Sequence, residues 1–219
     1  MSSARGPARR RVTVEAERLA GWLDRFAGKH GPTACEAGPD AVVVRAEDGS
    51  VARLTVPFPP LVAAGTTYGG IVEHALRDRR VGVLLVRLGG FAAGVFDGTS
   101  LVSSKVGSRQ VHGRSAAGGW SQQRFARRRE GQVRVALAAA ADVAAAVLLP
   151  ETARLDAVVL GGDRRSVEPV LEDRRLAPLR PLVTGPVLDV PDPRLAVLRG
   201  TPAAFRAVQV EVTDVLRPG

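Results

Sequence analysis

The chain has 219 residues, of which 45% are hydrophobic, and a formal net charge of +9 at pH 7. This composition indicates one large folded domain, or one domain with a smaller partner, and excludes disorder along the whole chain. The single cysteine, Cys35, excludes a disulfide framework and a multi-cysteine zinc site. Because His30, His74 and His112 are scattered, we expect no metal and no other cofactor.

The first part of the chain is predicted to form a small α/β subdomain over residues 11–77, preceded by a disordered tail at residues 1–10. Apolar residues from Leu19 to Phe26 recur at the spacing i, i+3, i+4, i+7 and predict an amphipathic helix over residues 15–29. Two apolar runs, which flank the turn sequence Glu47-Asp48-Gly49-Ser50, predict a hairpin. A short helix is then predicted at residues 70–79.

A second and larger domain is predicted over residues 79–200. Glycine-containing turns separate three apolar runs and indicate an antiparallel three-strand meander. A long helix follows over residues 121–149, with a local break allowed at Gly131. We then expect a strand at 155–160, a helix capped by Asp163 or Ser166, and a strand at 187–190. This order, βββαβαβ, predicts an α/β fold with helices packed on a mixed sheet.

The last segment, residues 201–219, is predicted to contain an edge strand, because valines alternate with polar residues there. We expect this strand to pack on the amino-terminal subdomain. The basic residues up to Arg11 precede no apolar run of signal-peptide length, and the chain shows no run of about 18 apolar residues. The expectation is therefore a cytoplasmic protein without a membrane span.

Positive charge is concentrated between Lys105 and Arg134, where eight basic residues accompany one acid, Glu130, for a formal charge of 8 − 1 = +7. The 29 arginines against 2 lysines are typical of a GC-rich bacterial genome, so the clustering, and not the choice of arginine, is informative. The segment from Gly113 to Trp120 is too rich in glycine to form a core. A mobile basic loop that runs into an arginine-rich helix suits a polyanionic partner.

The candidate RNA-binding residues are Lys105, Arg109, His112, Arg114, Trp120, Arg124, Arg127, Arg128 and Arg129. Arg124, Arg127 and Arg128 share one helix face at i, i+3, i+4, where they are expected to bind phosphates. A solvated helix face is the alternative interpretation of these arginines. Trp120 either stacks on a nucleobase or anchors the loop to the domain.

The decapeptide Gly118-Gly119-Trp120-Ser121-Gln122-Gln123-Arg124-Phe125-Ala126-Arg127 resembles the catalytic loop of the class I peptide release factors of eukaryotes and archaea. In that loop Gly-Gly-Gln precedes Arg-Phe-Ala-Arg at the same spacing. The order of elements over residues 79–200 is similar to the ribonuclease-H-like middle domain of those factors. The chain contains no asparagine, so it lacks the stop-codon-reading motif Asn-Ile-Lys-Ser. The better resemblance is to the Vms-like release factors (VLRF), whose loop has the form Gly-x-x-Gln.

The resemblance implies a codon-independent peptidyl-tRNA hydrolase that enters the A site of stalled ribosomes, contacts rRNA and cleaves the ester between nascent chain and tRNA. A monomer without a cofactor is expected. The Gly-x-x-Gln spacing favours Gln122 as the water-positioning residue, with Gln123 as the alternative, while Gly118 and Gly119 let the loop enter a narrow cavity. If Arg124-Phe125-Ala126-Arg127 sets the register, Trp120 stands in the place of the release-factor glutamine.

Two other functions compete with this hypothesis. A ribosome- or RNA-binding module without catalytic activity is favoured by the departure from a strict Gly-Gly-Gln. A metal-dependent nuclease is suggested by the ribonuclease-H-like order of elements. Such nucleases need clustered carboxylates, including one on the first strand, and residues 81–88 carry none.

Overall fold

The structure, a computed structural model, describes residues 8–61, 67–87, 89–109 and 121–215; for residues 8 and 121–128 it describes the backbone alone. In chain order the strands and helices are β1 (Ala8–Val14), α1 (Leu19–His30), β2 (Thr33–Ala37), β3 (Ala41–Ala46), β4 (Val51–Thr55), α2 (Ile71–Leu76), β5 (Arg80–Arg87), β6 (Gly90–Asp97), β7 (Ser100–Ser108), α3 (Ser121–Leu148), β8 (Ala157–Gly162), α4 (Arg164–Leu171), α5 (Leu195–Arg199), α6 (Thr201–Phe205) and β9 (Val208–Asp214). In the described parts of the chain, 3-10 helices lie at Ala16–Arg18, Leu149–Arg154 and Arg174–Leu182, and Thr67–Gly70 is a turn in which Tyr68 and Gly69 have positive φ.

The chain divides into two compact units. The first comprises Met1–Arg77 with Ala203–Gly219, and the second comprises Asp78–Pro202. We call them unit 1 and unit 2. Unit 1 contains a five-stranded antiparallel sheet in the order β1-β9-β4-β3-β2. Strand β9 pairs with both β1 and β4, so the last strand of the chain completes the sheet of unit 1.

One face of the unit 1 sheet packs against α1. Alternate residues of the strands, such as Val42, Val44 and Leu54, are buried together with Leu23 and Phe26 of α1. This alternation is the period of two that a strand with one buried face requires. The predicted hairpin and the predicted amphipathic helix are therefore confirmed by β3, β4 and α1.

Four details of unit 1 differ from the sequence predictions. Strand β9 is an internal strand and not the predicted edge strand, because it pairs with β1 on one side and with β4 on the other. Residues 8–10 belong to β1 and not to a tail, because β1 pairs with β9 from Ala8 onward. Strand β2 was not predicted, since its five residues form a mostly exposed edge without apolar alternation. The helix predicted at residues 70–79 is shorter, because the backbone of Arg77 is extended and ends α2 at Leu76.

Unit 2 contains a mixed four-stranded sheet in the order β7-β6-β5-β8. Strands β5, β6 and β7 form the predicted antiparallel meander, and β8 runs parallel to β5. The mixed α/β class predicted from the order of elements is thus confirmed. The strand predicted at 187–190 is wrong: a single bridge joins Leu188 to Gly161, because Pro186 and Pro191 flank this segment and have no N–H to extend a ladder.

Helix α3 is the longest element, with 28 residues, and it continues through Gly131 without the break that the sequence allowed. Its carboxyl-terminal half packs on the sheet through small side chains such as Ala140 and Ala144 and through the fully buried Leu148. The 26 residues Arg129–Arg154 are long and apolar enough to cross a membrane by length and composition alone. Core helices of globular domains meet the same criterion, and 39% of the most apolar 18-residue window is buried within the protein.

Candidate nucleic-acid interface

The described side chains at residues 129–135 of α3 lie outside the hydrophobic core. Every described side chain from residue 129 to residue 135 is half-buried or exposed, and Val135 is 58% exposed. Among the described side chains of the helix, the first buried one is Ala136. Because an α-helix rises 1.5 Å per residue, the start of α3 at Ser121 lies about 22 Å along the axis from Ala136.

The predicted catalytic residues fall at this end of the helix. Gln122 and Gln123 are the second and third residues of α3, and only their backbone is described. The glycines Gly118 and Gly119 lie outside the described residues. The structure therefore places the two glutamines in the first turn of a long helix.

The predicted RNA-binding residues divide in the same way. Those outside the described residues are His112, Arg114 and Trp120. Arg124, Arg127 and Arg128 have helical backbone, which is the condition for the common face expected from their spacing, but their side chains are not described. The remaining three, Lys105, Arg109 and Arg129, are described in full.

Lys105 lies on edge strand β7 and is exposed. It pairs in register with Ala93 of β6, which is buried in the same cluster as Ala140 of α3. By contrast, the next position of β6, Gly94, faces Leu198 of α5 on the opposite side of the sheet. Lys105 therefore extends from the side of the sheet on which α3 packs.

Arg109 follows the end of β7, where the described part of the chain stops until Ser121. Its backbone N–H donates a hydrogen bond of 2.8 Å to the carbonyl of Gly89 in the turn between β5 and β6. Gly89 has φ of +95°, and a side chain there would begin 3.2 Å from the carbonyl oxygen of Arg109. The turn between β5 and β6 thus holds the backbone of Arg109 at the point where the chain leaves β7.

These cations are not neutralised by neighbouring acids. Within the described residues, no carboxylate lies within ion-pair distance, 4.0 Å, of Lys105, Arg109, Arg129 or Arg134. A depression of about 510 Å³ on α3 is lined by Arg129, Glu130, Val133, Arg134 and Leu137. Two arginines and one glutamate line this depression, so its formal charge is 2 − 1 = +1.

The acids nearest the first strand of unit 2 surround an arginine. The Arg80 backbone N–H donates to Asp156 at 2.7 Å, and its guanidinium contacts Glu151 at 2.9 Å and Asp97 at 3.5 Å. The three acids are therefore paired with Arg80. Across the described parts of the chain, no group of three or more His, Cys, Asp or Glu side chains is arranged to hold a metal ion.

The family model described as "Actinobacteria/chloroflexi VLRF1 release factor" matches residues 79–211, which is more than half of the chain. The chain belongs to this VLRF1 release factor family. The resemblance to the Vms-like release factors, drawn from the loop motif, is thereby confirmed.

Two solved structures from archaea are also similar to this chain. The crystal structure of the archaeal translation termination factor aRF1 is 16% identical and has a TM-score of 0.44, with 86% of this chain and 55% of that chain covered. A structure described as an archaeal protein is 16% identical with a TM-score of 0.36, and the match covers 86% and 54% of the two chains. The chain spans about half of the length of these two structures. A comparison with curated protein sequences finds no match.

Proposed function

We propose that the chain is a codon-independent peptidyl-tRNA hydrolase that frees nascent chains from stalled ribosomes. The observation that carries this proposal is the division of α3: its carboxyl-terminal half is held in the core, and Gln122, near its other end, lies about 21 Å along the axis from Ala136, the first buried residue among the described side chains. A rigid extension of this kind suits delivery of a side chain into a cavity lined by RNA. Membership of a release factor family supports a role in translation.

The proposed chemistry needs few protein groups, because an ester is already activated towards attack. What is missing is a placed water molecule and a stabilised oxyanion. The carboxamide of Gln122 both accepts and donates hydrogen bonds, so it holds a water without changing its own protonation state. The proton acceptor is then provided by the substrate, in the form of the terminal ribose hydroxyl of the tRNA. Gln123 is the alternative residue for this role.

The basic residues are proposed to position the protein on rRNA and tRNA in the ribosomal A site. Arg124, Arg127 and Arg128 would bind phosphates along one side of the helix, and Lys105 and Arg129 would extend that contact. Arg109, His112, Arg114 and Trp120 complete the proposed surface. Phosphate contacts fix orientation without reading sequence, which fits action that is independent of the codon.

The proposal places the protein in the cytoplasm, acting as a monomer in ribosome rescue and quality control. The test uses purified stalled ribosomes that carry a labelled nascent peptide on its tRNA, with free peptidyl-tRNA assayed alongside. We expect the full chain to release the peptide from the ribosome-bound substrate. Co-sedimentation with ribosomes without release of peptide would contradict hydrolysis and support the alternative, a ribosome-binding module without catalytic activity.

A further inference from the structure

The outer face of the unit 1 sheet is a second cationic surface, distinct from α3. In each strand the residues between the buried positions point away from α1, because side chains alternate along a strand. The residues at these positions of β1, β9, β4 and β3 are Arg9, Arg11, Thr13, Gln209, Glu211, Thr213, Val51, Arg53, Thr55, Ala41, Val43 and Arg45. We call this set the outer sheet face.

Strand register brings the four arginines of this face together from distant parts of the sequence. Arg9 pairs with Thr213, Thr213 with Val51, and Val51 with Arg45, so three strand spacings of about 4.8 Å separate Arg9 from Arg45. In the neighbouring row, Glu211 pairs with both Arg11 and Arg53. The arginines therefore border an area of about 14 by 7 Å.

Most of this positive charge is available to a ligand. Arg9, Arg45 and Arg53 are exposed, and no described carboxylate lies within ion-pair distance of them. Arg11 contacts Glu211 at 3.3 Å, but the arginine side chain is 84% exposed. Two more acids, Glu36 on edge strand β2 and Asp40 in the turn that follows it, line a shallow depression of this face together with Arg45 and Arg53. Four guanidinium groups thus face three carboxylates, counting Glu211.

Other arginines of unit 1 have structural contacts instead. Arg206 is buried; it binds Glu17 at 3.0 Å and donates to the backbone carbonyls of Ala75 and Leu76. Arg10, one residue from two members of the outer sheet face, contacts Asp214 at 3.3 Å. By contrast, Arg9, Arg45 and Arg53 of the outer sheet face have no described carboxylate within ion-pair distance.

The rest of the outer sheet face suits RNA better than a protein partner. Its polar members, Thr13, Thr55, Thr213 and Gln209, offer hydroxyl and amide groups that bind phosphate and ribose oxygens. Protein interfaces are enriched in aromatic residues and depleted of charge at their centre. No outward position of these described strands carries an aromatic side chain, and the centre of the face holds Arg53.

We propose that the outer sheet face binds the phosphate backbone of RNA, as a second RNA-binding surface of this protein. The first 78 residues lie before the segment matched by the family model, so most of this surface is additional to the matched segment. The binding does not depend on the proposed hydrolysis, and it is measurable without ribosomes.

The test measures the affinity of the full chain for a fluorescein-labelled RNA duplex of about 16 base pairs by fluorescence anisotropy across a salt series. The variant carries Arg9→Gln, Arg45→Gln and Arg53→Gln. A matched control carries Arg18→Gln, Arg25→Gln and Lys29→Gln, which removes the same charge from exposed positions beside or on α1. Each lost phosphate contact lowers the slope of log affinity against log salt by about 0.7 to 0.9.

We expect the sheet variant to lose about tenfold or more in affinity and about 2 to 3 in slope, while the control stays within about twofold of wild type. Lysine at the same three positions keeps the charge and is expected to keep most of the affinity. Circular dichroism melting checks that all variants fold. Wild-type affinity in the sheet variant, or an equal loss in the control, overturns the proposal.

Discussion

The two halves of α3 contrast in composition and environment along one continuous helix. The carboxyl-terminal half is rich in alanine and packs closely on the unit 2 sheet, with Ala144 and Leu148 fully buried. The amino-terminal half carries arginine and glutamine, and its described side chains remain outside the core. The difference teaches that stability and the proposed function reside in separate halves, so mutations should affect one without the other.

The largest expected effect on stability comes from mutations in the carboxyl-terminal half of α3. Leu148→Ala removes a fully buried side chain and should lower the free energy of unfolding by about 2–5 kcal/mol. Val135→Ala, at a site 58% exposed, should change it by no more than about 0.5 kcal/mol. Urea unfolding of the two variants measures both values. Similar losses in both would mean that the amino-terminal half is also packed.

Mutations in the amino-terminal half of α3 should instead change RNA binding. Replacing Arg124, Arg127 and Arg128 together with alanine should lower the slope of log RNA affinity against log salt by about 2 to 3. The free energy of unfolding should stay unchanged. Arg164, Arg165 and Arg174, replaced by glutamine, form a control of equal charge in exposed parts of unit 2. If that control weakens binding equally, net charge alone explains the effect.

A smaller effect on stability is expected at Gly131, which lies in the amino-terminal half of α3. A Cβ at this position would meet no described atom within 4 Å, so Gly131→Ala should stabilise the protein by about 0.5–1 kcal/mol through helix propensity. Gly107→Ala on β7 is the comparison, because its Cβ would clash with the ring of Phe91 and destabilise the sheet. Thermal melting distinguishes the two. A fall in stability for Gly131→Ala would contradict a straight, exposed helix.

The smallest effect is a pH-dependent change in stability at an ion pair on the carboxyl-terminal half of α3. The guanidinium of Arg175 contacts Asp142 of α3 at 2.8 Å, and its hydrogen bonds to Asp173 lower the pKa of that carboxyl from 3.8 to about 2. Because the pKa of Asp173 is lower in the folded state, the carboxylate stabilises the protein when the pH is above the pKa of the unfolded state. This contribution is lost as the pH falls through about 2.

Arg175→Ala should therefore unfold more easily than wild type at neutral pH. The gap between the two proteins should be constant above about pH 5 and should close as the pH falls from about 4 to 2. The exposed neighbour Arg174, replaced by alanine, should follow wild type throughout. Urea unfolding at a series of pH values tests this; a gap that persists at pH 2 would assign the effect to packing and not to charge.

Local patterns predicted most of the elements because their signals are local. Turn residues such as Gly89-Gly90 delimit the meander, and the alanine-rich run after Val135 specifies the buried half of α3. Strand β2 was not predicted, because an exposed edge strand needs no apolar pattern. The strand predicted at 187–190 does not form, because the flanking prolines interrupt the pairing.

The candidate site was predictable from a short motif, whereas the outer sheet face was not. Gln122 and its neighbours lie within ten consecutive residues, so their spacing can be read directly. Arg9 and Arg45 come together only because β1 pairs with β9, about 200 residues later in the chain. Pairing over that separation depends on the fold of the whole unit, which no local pattern specifies.

The most direct test of the central claim is the single-turnover rate of peptide release from stalled ribosomes by the Gln122→Ala variant. The account predicts a fall of about 10²–10³-fold with ribosome binding unchanged, because a group that positions the reacting water is lost. Gln132→Ala, ten residues further along the same helix, should release at the wild-type rate. Wild-type release by Gln122→Ala and also by Gln123→Ala would contradict the account.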